Sequence, residues 1–178
     1  AMSASEVIQK CEAAKAASVK LASASGTQRN DALLAMADAL ERRAAEVLAA
    51  NKVDMDAAKA AGTPAPLLDR LMLDAGRIEA IADALRKLAK LEDPLGEVLE
   101  GRTLYNGIQL TRRRVPLGVV AMIYEARPNV TADAFALCLR AGNACVLKGG
   151  SAANETCMAI AGLCRRACDA CGLPADAV

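Results

Sequence analysis

The sequence predicts an α/β fold built from a helical first half, a β-ribbon and the opening of a parallel sheet. Three patterns carry that expectation. Apolar residues recur at helical spacing from Val7 to Leu88, with breaks at Gly26 and Gly62. From Glu97 to Leu110 the period falls to two. Beyond it, residues 119–124 and 143–148 are short apolar runs separated by a helical stretch, the layout of a βαβ unit.

Residues 5–23 form an Ala-rich helix with an uneven apolar stripe of Val7, Ile8, Cys11, Ala14 and Val19 or Leu21. Gly26 and Thr27 interrupt it, and Thr27 is placed to cap the next helix. That helix carries Leu33, Leu34, Ala37, Leu40, Ala44, Val47 and Leu48 at i, i+3, i+4, i+7 spacing. It is expected to run on past Asn51 to Ala61, where Gly62, Pro64 and Pro66 end it. A short segment at 67–71 follows. Asp74 then caps a further helix with Ile78, Ile81, Leu85 and Leu88 on its buried face. Pro94 and Gly96 close the helical half.

In the ribbon, Val98, Leu104, Ile108 and Leu110 alternate with polar residues. Gly101 with Arg102, and Asn106 with Gly107, supply turn chemistry. Arg112, Arg113 and Arg114 at its far end read as a solvated edge that discourages strand pairing, in preference to an anion or nucleic-acid patch. The organisation is therefore a helical part at 1–96, a ribbon at 97–114 and a βαβα core at 115–178, the start of an incomplete Rossmann-like sheet. Two parallel strands alone leave an open edge, and buried parallel strands normally belong to larger sheets. Residues 172–178 read as a helix C-cap leading into a third strand, so the chain is expected to be the N-terminal part of a longer protein.

Composition narrows the function. Apolar residues make up 54% of 178, but with one Phe, two Tyr and no Trp the core must be aliphatic. Lysine and arginine total 22 against 21 acidic residues, a net charge of +1 that makes no case for nucleic acid or an anionic membrane. The longest uncharged apolar run, 115–124, is too short to span a bilayer. Glu6, Lys10, Glu12 and Lys15 at helical spacing argue against a signal peptide, and the chain reads as cytoplasmic. Ala1 before Met2 reads as a cloning remnant. Histidine is absent, which excludes Ser–His–Asp and Cys–His catalysis and His-bearing zinc sites.

Chemistry-bearing residues gather in the βαβ unit. Lys148, Gly149, Gly150 and Ser151 end the second strand and open a helix; a cation beside a helix N-terminus suits a phosphate or a ribose hydroxyl. A plain strand-to-helix connection is the alternative, since neither a dinucleotide fingerprint nor a P-loop is present. Glu125, Ala126, Arg127, Pro128 and Asn129 form the other turn, where polar groups at the end of a buried strand serve either caps or ligands. Asn129 is placed to cap the helix that follows. Cys164, Cys168 and Cys171 have the C-x₃-C-x₂-C spacing of an iron–sulfur site. With Cys157 they fall at spacings of seven, four and three on one helical face shared with Ile160, Ala161 and Ala167, which reads as core packing and no metal site. Cys138 and Cys145 read as core of the βαβ unit.

The run VPLGVVAMIYEARPNVTADAFALCLRAGNACVLKGG is similar to the corresponding stretch of the γ-glutamyl phosphate reductase (glutamate-5-semialdehyde dehydrogenase) family, within the aldehyde dehydrogenase superfamily. Leu68-Asp69-Arg70-Leu71, Asp93-Pro94-Leu95-Gly96, the arginine triplet and Cys171-Gly172-Leu173-Pro174 fit the same family. The resemblance implies NADPH-dependent reduction of L-glutamyl 5-phosphate to L-glutamate 5-semialdehyde with phosphate release, in proline biosynthesis. In that chemistry a thiolate attacks the acyl phosphate, and the resulting thioester accepts hydride. The family's cysteine lies downstream in a separate catalytic domain; none of the seven cysteines here occupies that place. By position, Lys148 with Gly149, Gly150 and Ser151 resembles the part that touches the cofactor's adenosine ribose or 2′-phosphate. Glu125 to Asn129 resembles the turn facing the nicotinamide and the acyl group. Asn129 is the candidate hydrogen-bond donor to the thioester oxygen, and Arg127 a candidate phosphate contact. The ribbon resembles the superfamily's oligomerisation ribbon, implying a homo-oligomer, and the pathway implies functional association with glutamate 5-kinase. Two other classes stand beside this: an iron–sulfur or radical protein using Cys164, Cys168 and Cys171, and a non-catalytic nucleotide-binding module.

Overall fold

The computed structural model describes residues 3–178, so the expectation for Ala1 and Met2 lies outside the described residues. Helix α1 (Ala4–Leu21) starts at a capping box: Ser3 Oγ accepts from Glu6 N–H, and Glu6 accepts from Ser3 N–H. It buries Ala14, Ala17, Ser18 and Leu21, whereas Val7, Ile8, Cys11 and Val19 are exposed. The stripe expected to form one core face is thus divided between two faces. The next cap also differs from expectation. Ser25 caps α2 (Gly26–Arg42) through a second box with Gln28, and Thr27 lies inside the first turn.

The long helix expected to reach Ala61 is two helices, α2 and α3 (Ala44–Ala60), broken at Arg43 with φ −109° and ψ 20°. The break gives the second half its own buried face: Val47, Asn51, Asp54 and Ala58. Gly62 at φ 72° closes α3 in a Schellman turn, in which Thr63 N–H reaches Ala58 C=O at 3.0 Å. Short α4 (Ala65–Leu71) follows. Asp74 caps α5 (Ala75–Ala89) by accepting from Arg77 N–H at 2.7 Å, and Ile78, Ile81, Ala82 and Leu85 are buried along one side. Burying each of the larger three contributes about 1.5–3 kcal/mol.

Strands β1 (Val98–Thr103) and β2 (Gln109–Arg113) form the antiparallel ribbon, with every residue exposed. The turn is at Asn106-Gly107; Gly101 and Arg102 lie within β1 and not at a turn. Arg112 and Arg114 pair with Glu100 and Glu97 on the solvated surface, consistent with an edge and not with a basic patch.

Strands β3 (Val119–Ile123) and β4 (Ala144–Lys148) pair in parallel, joined by α6 (Pro128–Arg140), and α7 (Asn154–Ala170) follows after a 3₁₀ turn at Ser151–Ala153. The expected third strand is instead a 3₁₀ turn, Ala175–Ala177, after a C-cap at Gly172 with φ 71°. One apolar core runs from Leu33, Met36 and Leu40 of α2 through Ile78 and Leu85 to Phe135, Leu139, Cys145, Ile160 and Leu163. The helical half is therefore packed directly onto the βαβα unit, and it holds the carboxyl ends of β3 and β4 in place.

Candidate cofactor and phosphate site

The two turns at the carboxyl ends of β3 and β4 are in direct contact. A Cβ on Gly150 would lie 2.8 Å from Ala126 N, and one on Gly149 would lie 3.2 Å from Cys157 Sγ and 3.3 Å from the Tyr124 ring. Only glycine permits this approach without moving one backbone. Beneath the turns, Ala126 and Cys157 pack on a small apolar cluster of Ala58, Leu71 and Ala153. Tyr124 Oη is 2.7 Å from Thr131 Oγ1, and burial pushes its hydroxyl up to about 12.

Sequence reasoning missed the most tightly built part of the site. Ala153, at the N-cap position of α7, has no side chain to offer the helix. Asp54 of α3 takes that role from more than one hundred residues away: its buried carboxylate accepts from Thr156 N–H at 2.8 Å, Glu155 N–H at 3.2 Å and Thr156 Oγ1 at 2.6 Å. Asn51, one helical turn earlier, donates to Leu71 C=O at 2.8 Å and to Thr156 Oγ1 at 3.2 Å, and accepts from Leu73 N–H at 2.8 Å. The pair clamps α7 and the end of α4 to one side of α3. A signal for it exists in the sequence: Asn51 and Asp54 occupy core positions of a helix with Val47 and Ala58, where a polar residue requires a partner.

The N-terminus of α7, read from the sequence as an anion seat beside Lys148, is thus already occupied by a protein carboxylate. Lys148 itself is exposed and donates to Gly149 C=O at 2.7 Å, leaving its charge at the surface of the turn. The N-terminus of α6 is different. Asn129 does not cap it; Pro128 is its first residue, Arg127 stands at the N-cap position, and no side chain bonds the first turn. Asn129 lies within that turn and donates to Asp133 Oδ2 at 3.2 Å, while burial raises the Asp133 carboxyl above its ordinary range. Glu125 and Arg127 are folded together by a hydrogen bond from Arg127 N–H to Glu125 C=O at 2.8 Å.

Of the seven cysteines, Cys138, Cys145, Cys164 and Cys168 are buried, Cys157 and Cys171 are partly buried, and Cys11 is exposed. Cys164 and Cys168 are buried on α7 among the main cluster, and burial raises both thiols, Cys168 to about 12. Cys138 and Cys145 are buried together, and the Cys145 thiol is pushed up by Cys138 and by burial. Cys164 and Cys168 lie within α7 and are buried, and Cys171, at its C-cap, is partly buried against the same core, so these cysteines are held in packing and not on a loop placed to wrap a cluster.

A parallel βαβα unit with two touching turns at its strand ends, packed against the N-terminal helices, is a segment of a Rossmann-like α/β fold. Residues 1–178 match the aldehyde dehydrogenase family throughout, and the chain belongs to that family. Within it, the resemblance read from the sequence is borne out. A γ-glutamyl phosphate reductase of Proteus mirabilis is 50% identical over 167 residues, which cover 94% of this chain and 40% of that protein. The crystal structure of γ-glutamyl phosphate reductase from Thermotoga maritima superposes with a TM-score of 0.95 at 35% identity, over 97% of this chain and 42% of that one. An NADP-dependent glyceraldehyde-3-phosphate dehydrogenase from Bacillus halodurans, complexed with NADP, is 26% identical with a TM-score of 0.68, over 94% of this chain and 34% of that one. The chain spans about 40% of the length of the curated relatives it matches.

Proposed function

We propose that this chain forms the cofactor side of an NADPH-dependent enzyme that reduces L-glutamyl 5-phosphate to L-glutamate 5-semialdehyde, releasing phosphate in proline biosynthesis. The observation that carries this reading is the close likeness, in sequence and in backbone, to γ-glutamyl phosphate reductases across nearly the whole chain. The residues present suit an NADP(H) group: an exposed lysine stands at the end of β4, beside two glycines that let the two strand-end turns meet. Lys148 would meet the adenosine side, with Gly149, Gly150 and Ser151 beside it. Glu125, Ala126, Arg127 and Pro128 would line the nicotinamide side. The bound group supplies a hydride to the acyl carbon. Asn129 offers an amide donor to the acyl oxygen once its bond to Asp133 is exchanged.

Among the described residues no helix is long and apolar enough to cross a membrane, and the proposed setting is the cytoplasm. The solvated ribbon, with Ile108, Leu110 and Tyr105 exposed, supports a homo-oligomer, and glutamate 5-kinase is the proposed functional neighbour. The test is the reverse reaction in the enzyme carrying this chain: reduction of NADP by glutamate semialdehyde, dependent on inorganic phosphate. Turnover that ignores phosphate would overturn the reading. Residues 1–178 by themselves are expected to bind NADPH weakly and to leave it unoxidised by glutamyl phosphate.

A further inference from the structure

At the end of β3 three electropositive elements surround a single carboxylate. Arg70, near the end of α4, places Nη1 3.5 Å from Glu125 Oε2. Arg127 places Nε 2.6 Å from Glu125 Oε1, yet that nitrogen is enclosed and lacks the alignment of a hydrogen bond. The first turn of α6 begins at the same point with no side-chain cap. Two guanidinium groups and a helix N-terminus therefore share one negative charge, and the nearer contact is poorly directed. All three side chains remain about half exposed, at 47%, 43% and 54% for Arg70, Arg127 and Glu125. A guanidinium prefers two parallel bonds to a planar or tetrahedral oxyanion, and neither arginine has them.

We propose that Arg70 and Arg127 form a binding site for a phosphoryl dianion, and that Glu125 holds the two arginines in its absence and yields to the ligand. Arg70 is positioned for this from a distance. The buried Asn51 bonds to Leu71 C=O and Leu73 N–H fix the end of α4, while the tight turn at Glu125 C=O fixes Arg127. The phosphoryl group is expected from the acyl phosphate substrate, because Arg127 lies on the proposed nicotinamide side; the 2′-phosphate of NADPH, with the same recognition chemistry, is the competing source. The inference deepens the reductase reading and rests on it for those sources, while the binding of a phosphoryl group stands on the geometry alone.

The test is calorimetric titration of the enzyme carrying this chain with inorganic phosphate at fixed ionic strength, with and without saturating NADPH. Arg70→Gln and Arg127→Gln are each expected to weaken phosphate binding about ten-fold or more. Glu125→Gln, which removes the competing carboxylate, is expected to tighten it several-fold. Because these side chains are half exposed, each variant should keep its fold, checked by its thermal midpoint. Phosphate binding that persists with NADPH bound assigns the site to the substrate phosphoryl group. Binding abolished by NADPH but not by NADH assigns it to the cofactor's 2′-phosphate. The proposal is overturned if both arginine variants bind phosphate like the parent, if Glu125→Gln weakens binding, or if neither the parent nor Glu125→Gln binds phosphate. Phosphate failure with NADPH affinity intact removes this inference alone, whereas turnover that ignores phosphate in the enzyme carrying this chain removes the reductase reading.

Discussion

The two parallel strands feed two helices whose N-termini emerge at the same end of the sheet, and these two termini are treated oppositely. The start of α7 is closed by Asp54, a carboxylate supplied by another helix and buried in the contact. The start of α6 is left without a side-chain cap, with Arg127 at the cap position and Arg70 nearby. A helix N-terminus carries partial positive charge and free N–H groups, which a hydroxyl, water or an anion can satisfy. Where the anion belongs to the protein, the terminus is a structural joint. Where the protein withholds it and adds arginines, the terminus is available to a ligand. A glycine turn before a helix therefore does not by itself locate a phosphate site; what occupies the N–H groups decides.

The comparison can be broken most severely at the closed end. Asp54→Ala removes three hydrogen bonds from a buried carboxylate and leaves the donors of Glu155 and Thr156 unpaired. The expected loss is on the order of 3 kcal/mol or more, from charge-assisted bonds and the missing cap. It also converts α7 into an open terminus like α6, so phosphate should raise the midpoint of Asp54→Ala more than that of the parent. Denaturant titration measures the first effect and thermal scans with phosphate the second. A stability loss below about 1 kcal/mol, within the range of an ordinary surface cap, would show that Asp54 is not the joint described.

Gly150→Ala strikes the contact between the two turns. The added methyl meets Ala126 N at 2.8 Å, backbone that cannot swing aside. Overpacking of this kind costs about 1–3 kcal/mol, and the displaced turns should lower NADPH affinity beyond what the stability change accounts for. Affinity at the parent's level in a folded variant would mean the turns do not act together.

The far end of α7 offers a contrast of another kind, since apolar packing holds it. Replacing Cys164, Cys168 and Cys171 together with Ala should cost about 1–2 kcal/mol, as small buried groups do, and leave NADPH affinity unchanged. The pH dependence sharpens this. Burial moves the Cys168 thiol from its ordinary 9.0 to about 12. The folded state thus retains a proton that the unfolded state gives up first. Its contribution is complete below the unfolded value and is lost as pH rises toward the folded one. The triple variant should show a flatter alkaline decline in stability than the parent; an equal decline would place the titrating groups elsewhere.

Much of this architecture was legible in the sequence because it rests on local patterns. The caps at Asp74 and the C-terminal glycines, the 2-residue period of the ribbon, the βαβ unit and the cysteine face all follow from spacing over one or two turns. The misreadings have two causes. The cap at Ser25 was legible locally, since Gln28 three residues on completes the capping-box pattern with Ser25 and not with Thr27. The break at Arg43 and the division of the α1 stripe depend on what packs against each helix. The site was legible only as two turns. Asp54, Asn51 and Arg70 reach it from 50 or more residues away in sequence, through contacts that no local pattern records.

The smallest effect on folding, and the most selective on binding, is expected at Lys148. Its side chain is exposed, and its one hydrogen bond within the protein runs to the neighbouring Gly149 C=O. Lys148→Ala should therefore change stability by less than about 0.5 kcal/mol, as surface substitutions away from packed features do. NADPH affinity should nonetheless fall about ten- to a hundred-fold, the loss of one charge-assisted hydrogen bond worth roughly 1.5–3 kcal/mol. Because α7's terminus is closed by Asp54, the dipole of that helix is not free to replace the lysine. The reduction should be larger for NADPH than for NADH if Lys148 meets the 2′-phosphate, and equal for both if it meets the ribose hydroxyls. Titration of the enzyme carrying this chain with the two cofactors reads this directly. Unchanged affinity for both would move the adenosine end of the cofactor away from β4 altogether.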